Sequence, residues 1–264
     1  MHPVLVHLGS IPIHTYGAMG ALGFLVVTWM VLRRSAALGM KREHVVDVIF
    51  WGSLAAIFGS RLLFVLQNLE RMDSVGRWFD FRSGGLVFYG ALLVGLPAIG
   101  LILWRHKLPF YAFMDLTAAA LPIGHGLSRL GCYFAGCCYG VPTDVPWAIT
   151  FTDPRVDAPV GVPLHPTQLY AALYLFAIGA VLNWFYARRR FDGQVMLLYL
   201  VLYSVARSLN ELVRGDAERG FLLEEQLGQV ISFSQGISLL VAAVALGIFF
   251  FGARKASETG PTGE

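Results

Sequence analysis

Long apolar stretches recur along the chain, and they limit its possible folds more than any other feature. Seven of them have about the 20 residues that a helix needs to cross the hydrocarbon core of a bilayer. They cover residues 14–32, 45–67, 85–104, 112–131, 167–187, 194–213 and 229–252. Only 14% of the 264 residues are charged, too few to coat a water-facing surface. The sequence therefore predicts an all-α protein with seven transmembrane helices. It excludes a large extramembrane domain, a nucleic-acid-binding module and a disulfide-stapled secreted fold.

The placement of basic residues predicts the orientation. Of the 20 Lys and Arg residues, 11 lie in the loops after the first, third and fifth spans or in the C-terminal tail. Since cytoplasmic loops carry an excess of basic residues, we expect the N-terminus outside and the C-terminus in the cytoplasm. Residues 1–252 are then a single membrane domain, in which the outward loops 132–166 and 214–228 form a small head. Residues 253–264 are predicted to be a disordered cytoplasmic tail.

Ionisable residues within or at the ends of the spans are the first functional candidates, because each costs roughly 2.5–3.5 kcal/mol to insert. Spacings of four and seven residues put Arg207, Glu211 and Arg214 on one helix face. An ion pair between helices would explain any one of these groups. Several arginines near the outward ends of different spans instead predict a phosphate site, since the guanidinium fork matches phosphate oxygens. The set comprises Arg61, Asp115, Arg129, Arg207 and Glu211.

A run rich in glycine and cysteine covers residues 124–140. Such dense glycines let a backbone approach a ligand closely, although close packing of helices would explain them too. Its three cysteines, Cys132, Cys137 and Cys138, include no Cys-x-x-Cys pair. Adjacent cysteines are poorly suited to one tetrahedral site, and buried cysteine is commonly an inert apolar residue. The sequence therefore predicts neither a metal nor another cofactor.

The order of several short motifs indicates a family more strongly than any one of them does. They are Ile13-His14-Thr15-Tyr16-Gly17, Gly59-Ser60-Arg61, Gly84-Gly85-Leu86, Arg129-Leu130-Gly131 with Tyr139-Gly140, His165-Pro166-Thr167-Gln168-Leu169-Tyr170, and Tyr203…Arg207…Glu211…Arg214. In this order they resemble the prolipoprotein diacylglyceryl transferase family of bacterial inner membranes, from about residue 3 to residue 252. The resemblance implies an enzyme that moves a diacylglyceryl group from phosphatidylglycerol to the lipobox cysteine thiol of a preprolipoprotein, releasing glycerol phosphate.

The resemblance also implies roles for individual residues. Catalysis is expected from Tyr16, Tyr89, Arg129 and Arg207. Substrate binding is expected from Arg61, Cys132, Cys137, Gly140, His165, Gln168, Tyr203, Glu211 and Arg214. The implied partners are phosphatidylglycerol, the preprolipoprotein signal peptide and membrane lipids, with no nucleic acid. The acceptor of the thiol proton is left open between Tyr89, His14, His125, His165, lipid phosphate and water.

Four positions depart from the family pattern. Cys132 stands where the family has Asn, Cys137 and Ala171 stand where it has Glu, and Tyr89 stands where it has His. The departures leave open a relative that binds anionic lipid but has altered or lost the transfer reaction. Intramembrane arginines also suggest a transporter for a phosphorylated solute, although no internal repeat is evident. A thiol-redox membrane protein is the third alternative.

Overall fold

A computed structural model describes residues 3–9, 11–72, 74–80, 85–215 and 232–258. Most of these residues are helical, and two short antiparallel hairpins complete the structure. The helices are α1 Thr15–Ser35, α2 Arg42–Gln67, α3 Val75–Trp78, α4 Phe88–Arg105, α5 Phe110–Ala135, α6 Thr167–Tyr186, α7 Gln194–Glu211 and α8 Phe233–Glu258. The strands β1 Val4–Leu8 and β2 Ile11–His14 form one hairpin, and β3 Ile149–Thr150 and β4 Pro163–Leu164 form the other.

Five helical segments are long and apolar enough to cross a membrane. They are Thr15–Leu38, Arg42–Gln67, Phe88–Arg105, Thr167–Tyr186 and Gln235–Gly252. The prediction of an all-α, multi-pass membrane protein is thereby confirmed, while the count of seven crossings and the orientation stay predictions. Helices α5 and α7 have the length of a span but carry polar residues, including His125 and Arg129 on α5 and Arg207 and Glu211 on α7.

The chain divides into two compact units, with boundaries inside α1 and α5. The first comprises Met1–Met30 and Met114–Glu264, and the second comprises Val31–Phe113. In the second unit α2 packs closely on α4. The contact leaves no room for a side chain at Gly59, since an added Cβ would lie 2.4 Å from the carbonyl oxygen of Gly90. Such contact between backbones is typical of membrane helices that meet through small residues. The single domain predicted for residues 1–252 stays a prediction.

In the first unit α5, α6 and α7 share a core of small and aliphatic side chains. Its buried members are Ala118, Ala119, Ile178, Leu182 and Val195. Asp115 of α5 is fully buried beside this core and accepts hydrogen bonds from the backbone N–H groups of Gly193 and Met196, both at 2.9 Å. A carboxylate there satisfies otherwise unpaired N–H groups at the start of α7 and complements the helix dipole. Asp115 therefore has a structural role.

Several element ends differ from those that the sequence predicts. Helix α5 continues without a break past Pro122 to Ala135, so Cys132 lies in its last turns and not in a loop. Helix α8 runs to Glu258, beyond the predicted end of the last span at residue 252. Most of the predicted outward loop 214–228, residues 259–264 of the predicted tail and Gly84 of the third motif lie outside the described residues.

Candidate active site

The site begins near the C-terminal end of α5, where His125 and Arg129 lie one turn apart. The Nε of Arg129 donates a hydrogen bond to His125 Nε2 at 3.2 Å. The ring of His125 lies 5.7 Å, between centroids, from that of Tyr203 on α7. Within the described ranges no carboxylate forms an ion pair with Arg129. Its guanidinium group lies within electrostatic range of Cys132, Cys138, Tyr174 and Tyr203.

Two further guanidinium groups lie at the end of α7 and share one carboxylate. Arg207 donates from Nη1 to Glu211 Oε2, and Arg214 Nη1 lies 3.7 Å from the same oxygen. Glu211 is buried. The structure thus places these three residues on one face, as their spacing predicts.

Tyr174 of α6 links the two arginine groups. Its phenol lies within electrostatic range of Arg129, Arg207 and Arg214. Three guanidinium groups, one from α5 and two from the end of α7, therefore lie within electrostatic range of one aromatic side chain. Tyr174 is not among the site residues that the sequence predicts. Its position one helical turn after Tyr170, the last residue of the His-Pro-Thr-Gln-Leu-Tyr motif, was the available signal.

Gly140 lies where three backbone segments meet. Its N–H donates to the carbonyl of His165 at 3.1 Å, and the N–H of Val141 donates to the carbonyl of Val213 at 3.0 Å. Gly140 also pairs with Arg214 in an isolated antiparallel bridge. A Cβ on Gly140 would lie 2.5 Å from His165 Cβ and 2.8 Å from the Val213 carbonyl oxygen. This position therefore requires glycine. The close contact that glycine permits brings the loop beside the arginines at the end of α7.

The start of α6 is joined to the same loop through hydrogen-bonded side chains. His165 Nδ1 lies 3.2 Å from the hydroxyl of Tyr170, and Trp147 Nε1 donates to that hydroxyl at 2.6 Å. Gln168, which is buried, donates from Nε2 to the carbonyl of Cys137 at 2.8 Å. The predicted residues His165 and Gln168 thus organise the backbone of the site.

The three cysteines, for which the sequence predicts no metal, form a cluster. The Sγ atoms of Cys132, Cys137 and Cys138 all lie within 4.8 Å of one another. Cys138 has a φ of 59°, a left-handed conformation that is uncommon for a residue with a side chain. Hydrogen bonds from the Cys132 and Cys137 thiols, together with the nearby Arg129 and Arg214, hold the pKa of Cys138 well below its ordinary value.

Tyr16 joins this cluster from the first turn of α1. Its side chain is half exposed, and it lies within electrostatic range of Arg129 and of all three cysteines. A Cβ on Gly131 of α5 would lie 3.1 Å from the Cα of Tyr16, so α1 and α5 meet closely here. The first unit therefore gathers Tyr16, Arg129 and Arg207 with most of the predicted substrate-binding residues.

Arg61 and Tyr89 belong to the second unit. Arg61 of α2 is buried and donates to three backbone carbonyls, those of Trp78 at 2.9 Å, Gly85 at 3.2 Å and Arg77 at 2.5 Å. These bonds hold α3 and the chain before α4 against α2. Tyr89, in the first turn of α4, is 43% exposed. The substrate contact predicted for Arg61 and the catalytic role predicted for Tyr89 stay predictions.

Comparison with known proteins assigns the chain to a family. The family model described as prolipoprotein diacylglyceryl transferase matches residues 3–251. The phosphatidylglycerol–prolipoprotein diacylglyceryl transferase of Clostridium tetani is 32% identical to the chain, over 95% of the chain and 97% of the relative. The enzyme of the same name from Vibrio parahaemolyticus is 35% identical, over 94% of the chain and 92% of the relative. The chain belongs to the prolipoprotein diacylglyceryl transferase family.

Proposed function

We propose that the protein transfers a diacylglyceryl group from phosphatidylglycerol to the lipobox cysteine thiol of a prolipoprotein and releases glycerol phosphate. The observation that carries the proposal is that Arg129, Arg207 and Arg214 all lie within electrostatic range of one side chain, Tyr174. Glu211 contacts Arg207 and Arg214 and orients them. Grouped guanidinium side chains suit a phosphodiester, because their planar forks bind its oxygens through paired hydrogen bonds. The names of the relatives agree with this substrate.

The arginines stabilise the charge that develops as the lipid is cleaved. The substrate thiol attacks the glycerol carbon that bears the phosphate ester. A carbon–sulfur bond forms as the carbon–oxygen bond breaks, and negative charge collects on the departing phosphate. Arg129 and Arg207 supply fixed positive charge at that oxygen, which acts strongly where water is excluded. Glu211 holds Arg207 in position, and Tyr16 lies at the edge of the site beside Arg129.

The acyl chains lie in a groove between α6 and α7. This groove has a volume of about 470 Å³, and its lining includes Leu173, Tyr174, Ala206 and Leu209. Leu173 and Leu209 are 72% and 62% exposed, so the rim of the groove is apolar and suits contact with lipid tails. Tyr174 lines the groove and also lies among the arginines. A lipid entering sideways from the bilayer can therefore place its phosphate beside Arg207 with its chains still in an apolar environment.

The site lies towards the outer leaflet of a cytoplasmic membrane that seven helices cross. The N-terminus faces out and the C-terminus faces the cytoplasm, as the basic residues indicate. In such an alternating topology the starts of α1 and α6 and the ends of α5 and α7 share the outward side. Those ends carry Tyr16, Gln168, Arg129 and Glu211.

The purified protein, incubated with phosphatidylglycerol vesicles and a peptide containing a lipobox cysteine, tests the proposal. We expect the peptide to gain the mass of one diacylglyceryl unit. A peptide with serine in place of that cysteine should gain nothing, and neither should a reaction with phosphatidylethanolamine alone. An unmodified cysteine peptide, with lipid still bound, would indicate a relative that has lost the reaction. Uptake of a phosphorylated solute into vesicles would indicate a transporter.

A further inference from the structure

Three thiols lie beside the proposed phosphate site, and the reaction described above does not use them. The Sγ atoms of Cys132, Cys137 and Cys138 lie within 4.8 Å of one another. In a tetrahedral zinc centre with Zn–S bonds of about 2.3 Å, the ligand sulfurs lie about 3.8 Å apart. The largest sulfur separation is thus about 1 Å wider than the zinc geometry requires. Small rotations of the cysteine side chains would close this difference.

The backbone at two of these cysteines is held in place by buried side chains. Thr167 donates from Oγ1 to the carbonyl of Cys138 at 2.6 Å, and Gln168 donates from Nε2 to the carbonyl of Cys137 at 2.8 Å. Both donors are 1% exposed. The Oε1 of Gln168 is buried and has no hydrogen-bond partner among the residues that the structure describes. Protein metal sites are supported by outer hydrogen bonds of this kind, which orient the ligands.

The left-handed backbone at Cys138 removes the objection to adjacent ligands. In extended or helical chain, neighbouring side chains point in different directions. With a φ of 59° at Cys138, the Cys137 and Cys138 sulfurs instead lie near the same point, together with that of Cys132. The position is also adjacent to the proposed chemistry, because Cys132 and Cys138 both lie within electrostatic range of Arg129.

We propose that Cys132, Cys137 and Cys138 bind one zinc ion whose fourth position takes the lipobox cysteine thiol of the substrate. This inference rests on the proposed function and names the group that activates its nucleophile. Thiolates favour soft or borderline metals, and zinc with three protein ligands and one open position is the usual catalytic arrangement. The coordination shell of Cu(I) is complete with three thiolates, so that ion would leave no position for the substrate.

In this scheme the zinc ion stays Zn²⁺ throughout. It makes a separate general base unnecessary, because coordination favours loss of the thiol proton. The substrate thiol loses its proton on binding zinc, because a coordinated thiol is deprotonated. The zinc-bound sulfur then attacks the glycerol carbon of phosphatidylglycerol. The carbon–oxygen bond breaks with its electron pair on the phosphate oxygen, beside Arg129. The departing glycerol phosphate takes up the proton, and the new thioether, a weaker ligand than a thiolate, leaves the zinc.

A metal titration of the purified full-length protein, under anaerobic reducing conditions, tests the site itself. We expect one Co²⁺ ion to bind per chain with the absorption spectrum of a tetrahedral cobalt–thiolate centre, and one Zn²⁺ ion to displace it. Each of the changes Cys132→Ser, Cys137→Ser and Cys138→Ser should remove this spectrum. Thr167→Val removes an outer hydrogen bond and should weaken metal binding by roughly 10–100-fold. Tyr139→Phe, in the same loop, keeps all three thiols and should bind normally.

The open fourth position is tested by adding peptides to the cobalt form. A lipobox peptide with cysteine should shift the cobalt spectrum, and the matching serine peptide should not. Any of three results would overturn the proposal. They are no Co²⁺ or Zn²⁺ uptake by the reduced protein, uptake of Cu(I) alone, or a cobalt spectrum that the cysteine peptide does not change.

Lipid transfer, measured in parallel, separates this inference from the proposed function. Full transfer by the metal-free protein in the presence of a chelator would overturn the activation of the thiol by zinc and leave the function intact. A cobalt form that binds the cysteine peptide but never adds a diacylglyceryl unit would remove the function and leave the metal site.

Discussion

Two arginines, one in each unit of the molecule, show how differently the same side chain can be used. Arg61 of the second unit donates to the carbonyls of Trp78, Arg77 and Gly85. Arg129 of the first unit donates from Nε to His125, and no described carboxylate forms an ion pair with it. Arg61 is buried and Arg129 is partly buried, and burying a guanidinium group is costly unless its N–H groups are hydrogen-bonded. The guanidinium group of Arg61 bonds backbone carbonyls, whereas that of Arg129 bonds the side chain of His125.

The acidic residues repeat this contrast. Asp115 caps the start of α7 through the N–H groups of Gly193 and Met196. Glu211 lies between Arg207 and Arg214 and orients them. One buried carboxylate thus holds the backbone at a helix start, whereas the other positions two guanidinium groups.

The largest effect is expected at the arginines of the first unit. Arg129→Lys and Arg207→Lys keep the positive charge but lose the planar fork, and each should lower the transfer rate by about 10²–10³-fold. The measurement is the rate of diacylglyceryl addition to a lipobox peptide, with thermal unfolding in detergent followed in parallel. Arg155→Lys, at an exposed arginine of the head, is the matched control. Wild-type rates in either site variant would remove the phosphate-binding assignment.

A somewhat smaller loss is expected from Gly140→Ala. The new Cβ would lie 2.5 Å from that of His165, so the chain on either side must move apart and shift the loop relative to Arg214. Displacement of site groups by about 1 Å can cost up to about 10²-fold in rate. Gly20→Ala, where a Cβ meets nothing within 4 Å, controls for the substitution itself. Equal rates in the two variants would show that the three-segment contact does not organise the site.

Arg61→Lys should act mainly on stability. A lysine cannot serve all three carbonyls, and each buried acceptor left unpaired costs about 1–3 kcal/mol. We therefore expect a lower unfolding temperature in detergent and a smaller loss of turnover per folded molecule than in Arg129→Lys. If Arg61→Lys instead unfolds normally and loses transfer as severely as Arg129→Lys, the contrast between the two arginines is wrong.

The smallest effect is expected for Asp115→Asn. The amide retains one acceptor for the N–H groups at the start of α7 but loses the charge that complements the helix dipole, so stability should fall by about 0.5–2 kcal/mol. Thermal unfolding measures this loss. The Nε of Arg189 lies 3.6 Å from an oxygen of Asp115 and 3.6 Å from an oxygen of Asp192, whose side chain is more exposed. Asp192→Asn should therefore change stability less. A 10²-fold loss of transfer in Asp115→Asn would place this carboxylate among the site residues.

Local patterns were sufficient to predict the helices and one face of the site. Apolar length predicted the five helices that are long and apolar enough to cross a membrane, since crossing a bilayer demands about 20 apolar residues whatever their partners. The shared face of Arg207, Glu211 and Arg214 followed from helical periodicity. The continuity of α5 past Pro122 did not follow, because whether a helix tolerates an internal proline depends on what packs around it.

The sequence by itself determined a polytopic helical protein, its family and the arginines proposed to bind phosphate, because composition, periodicity and motif order are properties of the chain alone. Only the tertiary structure decided which charged groups balance one another. It placed Arg61 where its side chain bonds three backbone carbonyls, and it placed Asp115 where its carboxylate accepts bonds from the start of α7. It also brought Tyr174 within electrostatic range of three arginines. It also turned Cys138 so that three sulfurs meet. These outcomes depend on distances between residues far apart in the chain, which no local pattern records.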